Sequence, residues 1–226
     1  KNEFYLYREQ NPFTFNQSSK SKRGGLSHNY KVGVDYQMNA NNSFGIMING
    51  NYSDITGRQK NKNFISNFYS GVTDSILNSN QRYNSINNNF YANLNHHYKD
   101  TTGKELTTDF DYGYYNGTRN TYQPNEYTLP DGTTPLSATY YKSNTPTTIN
   151  IYTLKTDYTQ NLFKGKLGAG YKVSLVNTVN TFNFYNIEGG ISSLNSSRSN
   201  KFDYAENVNA LYLNYQRTFN KIDVQI

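Results

Sequence analysis

The sequence predicts an all-β chain, a transmembrane antiparallel β-barrel of which about eight to nine strands of a larger barrel are present. Three observations predict it: apolar and polar side chains alternate with period two, short and long connections alternate, and the apolar content suffices for a single layer. Alternation is clearest at Tyr30, Val32, Val34, Tyr36 and Met38, with Asn29, Lys31, Gly33, Asp35 and Gln37 between them. It resumes after a turn with Phe44, Ile46, Ile48, Gly50 and Tyr52 against Gly45, Met47, Asn49, Asn51 and Ser53. Successive side chains of a strand leave opposite faces, so period two means strand. Each run lasts about ten residues, the length a tilted strand needs to cross a bilayer.

The other elements follow in order. An opening strand is expected over about 3–10. Phe90, Ala92, Leu94, His96 and Tyr98 alternate with Asn89, Tyr91, Asn93, Asn95 and His97. Leu106, Thr108, Phe110, Tyr112 and Tyr114 then oppose Thr107, Asp109, Asp111, Gly113 and Tyr115. A less regular strand covers about 149–160. Leu167, Ala169, Tyr171, Val173 and Leu175 stand against Gly168, Gly170, Lys172, Ser174 and Val176. A long strand near 202–218 carries Leu211, Leu213 and Tyr215 on one face, and a last one begins at Ile222, Val224 and Ile226.

Short connections fall near 39–42, 99–105, 161–165 and 219–221, marked by Asn-Ala-Asn-Asn, Lys-Asp-Thr-Thr-Gly and similar turn chemistry. Long ones, rich in Asn, Ser, Gly and Pro, fall near 11–28, 55–82, 116–147 and 177–201. Sorting of short turns to one end and long loops to the other is the habit of outer-membrane barrels, with the short side periplasmic. Tyr36, Phe44, Tyr98, Phe163 and Phe219 lie near the short turns, and Tyr52, Tyr112, Tyr114 and Tyr204 toward the long loops. Two interfacial girdles account for this placement; the plain strand propensity of Tyr is the competing account.

Composition agrees. Only 35% of the 226 residues are hydrophobic, yet 16% are aromatic, 23 Tyr and 13 Phe. A mean hydropathy of −0.87 is low for a soluble sandwich with two packed inner faces. Disorder would lack the aromatics. A barrel with a wet lumen and a greasy outside needs one apolar layer. There is no run of 18 apolar residues to make a transmembrane helix. Absence of Cys excludes disulfides, thiol catalysis and cysteine-held zinc. The 22 Lys and Arg against 16 Asp and Glu give +6, but they are scattered, which argues against nucleic acid.

The stretches YKVGVDYQMNANNSFGIMINGNYSD (30–54) and ALYLNYQRTFNKIDVQI (210–226) resemble the barrel domain of Bacteroidota outer-membrane proteins related to TonB-dependent receptors. The resemblance spans nearly the whole chain and rests on strand style and turn register. It implies a barrel of about 22 strands, a plug N-terminal to it, and import driven from the inner membrane. No signal peptide and no plug is recognisable in 1–226, so the chain is expected to be an internal portion of one barrel domain. A small eight-stranded barrel is the alternative.

Faces follow from alternation. Lipid-facing positions are expected to be Tyr30, Val32, Val34, Tyr36, Phe44, Ile46, Ile48, Phe90, Leu94, Phe110, Tyr112, Leu167, Tyr171, Val173, Leu211 and Leu213. Lys31, Asp35, Asn49, Asn51, Asp109, Asp111, Lys155, Asp157 and Lys172 are placed to line the lumen, either as a wall for a plug or solute or as ordinary lumen solvation. Lys20, Lys22, Arg23, Arg58, Lys60 and Lys62 fall in expected extracellular loops. There they either meet lipopolysaccharide phosphates or are solvated tips.

Catalytic and metal chemistry finds no support. Adjacent His96 and His97 point to opposite faces and cannot chelate one metal, and His28 stands alone. Asp109 and Asp111 are neighbours on one strand, about 7 Å apart along it, and do not face each other across a substrate. Gly165, Gly168 and Gly170 open a strand, unlike a dinucleotide fingerprint. The Asn-x-Ser/Thr triplets at Asn16, Asn51 and Asn116 carry no glycosylation meaning in a bacterial barrel. The expectation is an outer-membrane barrel without cofactor or catalysis, most simply part of an importer of a bulky nutrient. Its partners would be outer-membrane lipid and lipopolysaccharide, its own plug, a periplasmic energy-transducing protein or a surface lipoprotein. A docking component of an envelope complex and a secreted Tyr/Asn-rich glycan-binding protein are the alternatives.

Overall fold

The computed structural model describes residues 2–6, 13–219 and 222–226. They form one antiparallel sheet of ten strands: β1 (Asn2–Leu6), β2 (Phe13–Asn39), β3 (Asn42–Asn67), β4 (Thr73–Lys99), β5 (Glu105–Thr128), β6 (Pro135–Leu162), β7 (Gly165–Glu188), β8 (Ile191–Leu194), β9 (Asn200–Phe219) and β10 (Ile222–Gln225). Nine lie in the order β1-β2-β3-β4-β5-β6-β7-β9-β10, and β8 pairs with the end of β7. Among the described residues no helix occurs and no pair closes β9 or β10 onto β1 or β2, so the sheet is an arc. Of the expected opening strand, residues 7–10 lie outside the described residues, as do 220–221 of the last short turn and 11–12 of the first long connection.

The strands run well past the ten or so residues that a bilayer requires: 27 in β2, 26 in β3, 27 in β4 and 28 in β6. The expected long connections exist as excursions from one end, but they are built of strand. Among the described residues of these connections, turns occupy only 68–72, 129–134, 189–190 and 195–199. Above the membrane both faces of a hairpin meet water, so the apolar signal vanishes while the backbone ladder continues. Pairing runs from Tyr36↔Phe44 up to Phe13↔Asn67, with the only shift of register between Gln37 and Asn39. Prolines sit where this ladder lapses on one side. Pro124 pairs with Tyr140 on β6, but the β4 ladder skips it between Ser79↔Asn125 and Arg82↔Tyr122. Pro146 likewise pairs with Thr118 while the β7 ladder skips from Asn144↔Asn183 to Thr147↔Asn180. A residue without an N–H is tolerated only at such gaps.

Each of five turns begins with a side chain that mimics the backbone. Asn39 Oδ1 accepts from the amides of Asn41 and Asn42, both at 2.9 Å, and Asn67 Oδ1 from those of Tyr69 and Ser70, both at 3.0 Å. Asp100 accepts from the amides of Thr102 and Lys104 at 2.9 and 2.8 Å, and Asn195 from Arg198 at 3.2 Å. Asp131 accepts from the amides of Thr133 and Thr134 at 2.8 and 2.9 Å and from the Thr134 hydroxyl at 2.5 Å. The 163–164 turn differs: Phe163 and Lys164 both take positive φ, 50° and 61°. That two-residue geometry matches the twist of its strands but suits Asn-Gly far better.

Register fixes the faces. One rung across six strands runs Val34, Ile46, Leu94, Phe110, Leu154, Val173, and its neighbours run Val32, Ile48, Ala92, Tyr112, Tyr152, Leu175. All sixteen positions expected to face lipid share this side. It is packed only sideways, by cross-strand rings such as Tyr112–Tyr152 at 5.0 Å between centroids and Phe90–Tyr112 at 6.2 Å. Val34, Ile46 and Leu94 remain 64%, 50% and 54% exposed. Of the expected girdle residues, Tyr204 is corrected: it pairs with Thr178, which shares a face with Lys172, so it lies on the opposite side from Tyr112 and Tyr114.

Leu154→Arg, mid-band, is expected to destabilise the barrel by about 2–4 kcal/mol, while Thr153→Arg on the other face costs far less. Urea unfolding in lipid vesicles measures both. Hydrogen bonds from the Thr134 hydroxyl and the amides of Thr134 and Thr133 hold the Asp131 carboxyl down to about 2. A depressed carboxyl stabilises above its ordinary 3.8 and loses that contribution as pH falls through about 2. A carbon-13 titration of Asp131 should show this midpoint, and Asp131→Ala should open the turn to protease at neutral pH.

Candidate functional site

The polar face is the inner one. Its residues are the less exposed, with Ser53, Ser79 and Asn125 at 9%, 6% and 8%, as expected where a sheet curls around that side. All nine lumen candidates lie on it. A single rung carries Asp35, Gly45, Asn95, Asp109, Lys155 and Lys172 across β2 to β7. The rung above carries Asp111 and the one below Asp157; Lys31 pairs with Asn49, and Asn51 with Asn29.

Alternating strands set two bonded clusters into this wall. Asp111 accepts from the Tyr91 hydroxyl and from Asn93 Nδ2 at 2.7 Å. Asp157 accepts from the Tyr212 hydroxyl and pairs with Lys155 Nζ at 2.6 Å. Tyr212 reaches across because Gly170 lies beneath its ring; a Cβ there would stand 2.2 Å from Tyr212 Cζ. Gly168, under the Asn214 amide, works in the same way. Asn51 adds Nδ2 bonds to Ser27 Oγ at 3.0 Å and Asn29 Oδ1 at 2.7 Å. Higher on the same face, the Arg198 guanidinium lies 3.8 Å from the centre of the Phe184 ring and 5.2 Å from that of Tyr141. Tyr91, Tyr212 and Arg198 escaped the sequence reading. The tyrosines sit at inward parity, which was legible; Arg198 reaches the wall from a turn, which was not.

The wall offers carboxylates, amides, hydroxyls and the ammonium groups of Lys31, Lys155 and Lys172, suited to hydrated polar contact. The histidines are spent locally. His96 stacks on Phe44 at 4.4 Å and bonds Asn42 Oδ1 at 3.0 Å on one face; on the other, His97 bonds Thr107 at 3.1 Å and lies 3.5 Å from Glu105. Among the described residues no three His, Asp or Glu side chains gather as a metal site. At the short-turn end, the Thr102 hydroxyl and the amides of Lys104 and Thr102 hold the Asp100 carboxyl below its usual range.

The six basic residues expected in loops lie in paired strands instead, because the hairpins stay zipped above the membrane. Lys20 is opposite Lys60 and Lys22 opposite Arg58. Alternation puts these four and Lys62 on the face that carries the apolar band, and Arg23 on the inner face. Arg82 extends the Lys22–Arg58 rung directly, and Lys142 stands two strands further along it.

Residues 97–226, more than half of the chain, match the model of the Outer membrane protein beta-barrel family. No curated protein and no solved structure matches the chain.

Asp111→Ala strands two donors on the wall and is expected to cost about 1.5–3 kcal/mol, the range for hydrogen bonds to a charged group. The same change at exposed Asp74 should cost little. Parallel urea titrations of both variants in vesicles decide this.

Proposed function

The chain belongs to the Outer membrane protein beta-barrel family and resides in the bacterial outer membrane, and from that premise we propose that it forms part of the barrel of a TonB-dependent receptor-like importer of a bulky nutrient. The observation that carries this reading is the breadth of the polar wall. Its rungs run unbroken from β2 to β9 and contain both signs of charge, as a surface must that slides past a plug or a hydrated solute. The arc has no closing pair among the described residues, which fits a portion of a wide barrel better than a narrow closed one. The resemblance to Bacteroidota receptors supplies the rest of the reading: a plug against this wall, a periplasmic energy-transducing protein below, and a surface lipoprotein over the hairpins. No catalytic step is assigned to it.

A second reading, a docking component of an envelope assembly, draws support from the β3–β4 tip, where Phe68, Tyr69 and Val72 are 44%, 73% and 62% exposed. Deletion of the whole gene separates the two. The importer reading expects loss of growth on a large nutrient, restored by the gene and blocked when the inner-membrane potential is dissipated. Unchanged growth on every nutrient, with loss of a co-purifying envelope complex, would favour docking.

A further inference from the structure

The face that carries the apolar band also carries, higher up, an arrangement that a strand pair in isolation disfavours. Lys22, Arg58 and Arg82 stand directly opposite one another on β2, β3 and β4, and the same rung continues through Tyr122 and Lys142 to Tyr185. Like charges placed opposite on neighbouring strands repel. On the next rung Lys20 and Lys60 repeat the conflict. Among the described residues, none of these cations lies within 4 Å of a carboxylate. The rung instead lines a cavity of about 920 Å³ whose walls, among the described residues, contain no acidic side chain. Lys142 Nζ reaches only the Ser192 hydroxyl, at 3.4 Å.

Position names the anion. The rung lies six residues, roughly 20 Å along the strand, beyond the rung of His28 and Tyr52, where the upper aromatic belt ends. Strand tilt turns that into about 15 Å of height, the level of the phosphorylated sugars of the outer leaflet. We propose that Lys22, Arg58, Arg82 and Lys142 form a binding site for the phosphate groups of a phosphorylated outer-leaflet glycolipid. The guanidinium groups of Arg58 and Arg82 supply planar two-pronged donors for phosphate oxygens. Lys22 and Lys142 flank them as point charges, and the Tyr122 and Tyr185 hydroxyls stand between and beside them. The site is independent of what the inner wall transports.

The test uses the full chain, purified and placed in nanodiscs containing either bisphosphorylated lipid A or the same lipid without its phosphates. Retained glycolipid is counted by native mass spectrometry. The quadruple variant Lys22→Gln/Arg58→Gln/Arg82→Gln/Lys142→Gln should hold the bisphosphorylated lipid roughly a hundredfold or more less tightly. Its grip on the dephosphorylated lipid should match that of the unaltered chain. Lys104→Gln/Lys164→Gln, at the short-turn end, should change neither. Should the quadruple variant fold poorly, Arg82→Gln and its charge-restoring partner Arg82→Lys read the same effect singly. Equal retention of both lipids by the unaltered chain, or retention untouched by the quadruple variant, overturns the proposal. Full displacement of lipid by millimolar inorganic phosphate overturns the lipid assignment in favour of a free-anion site.

Discussion

Hydrocarbon offers a backbone N–H or C=O no partner, and the rest of this structure depends on that constraint. Each polar group of a crossing strand must find its mate on the next strand. The β2-to-β9 ladder meets this demand almost without interruption, and a continuous ladder fixes register. Register in turn fixes which side chains share a face and a rung, because a slip of one residue exchanges the faces. The apolar band, the polar wall and the cation rung are therefore three readings of one hydrogen-bond pattern.

Where the two faces meet different solvents, the sequence carries that difference openly. Val32, Val34 and Tyr36 against Lys31, Gly33 and Asp35 are readable without coordinates because lipid lies on one side and water on the other. β6 is harder to read: Asn150 and Thr156 sit on the lipid side and Ile149 and Ile151 on the inner one, blurring the alternation. Above the membrane both sides are wet, selection for alternation lapses, and stretches such as 55–67 read as loop although every residue there is in strand. Signals of strand were present in the Thr and Tyr of 118–127, and the real turns announce themselves by Asn67, Asp131 and the Gly189-Gly190 pair. Tyr204 fell on the wrong face because the local alternation of Phe202 and Tyr204 against Lys201 and Asp203 puts the aromatics on the inner side here. The pairing of Lys22 with Arg58 and Arg82 required the register itself.

The two faces also handle charge in contrasting ways. Inside, Lys155 has Asp157 at 2.6 Å, and Asp109 stands opposite Lys155 on the rung. Outside and higher, cations face cations. Neutralised charge suits a surface that must let something slide by, and unneutralised charge suits one that must hold something. Both arise from the same sheet, on opposite faces and at different heights.

Hairpins that remain zipped from the membrane to their tips constrain how this surface changes over generations. A single residue gained or lost within one leg turns every side chain beyond it to the other face and undoes its pairing. Variation in length is thus confined to the tips, at 68–72 and 129–134, or to steps of two that keep inside and outside in place. The part of the molecule that an outside observer meets first can vary freely in identity, but its length changes by counting in twos.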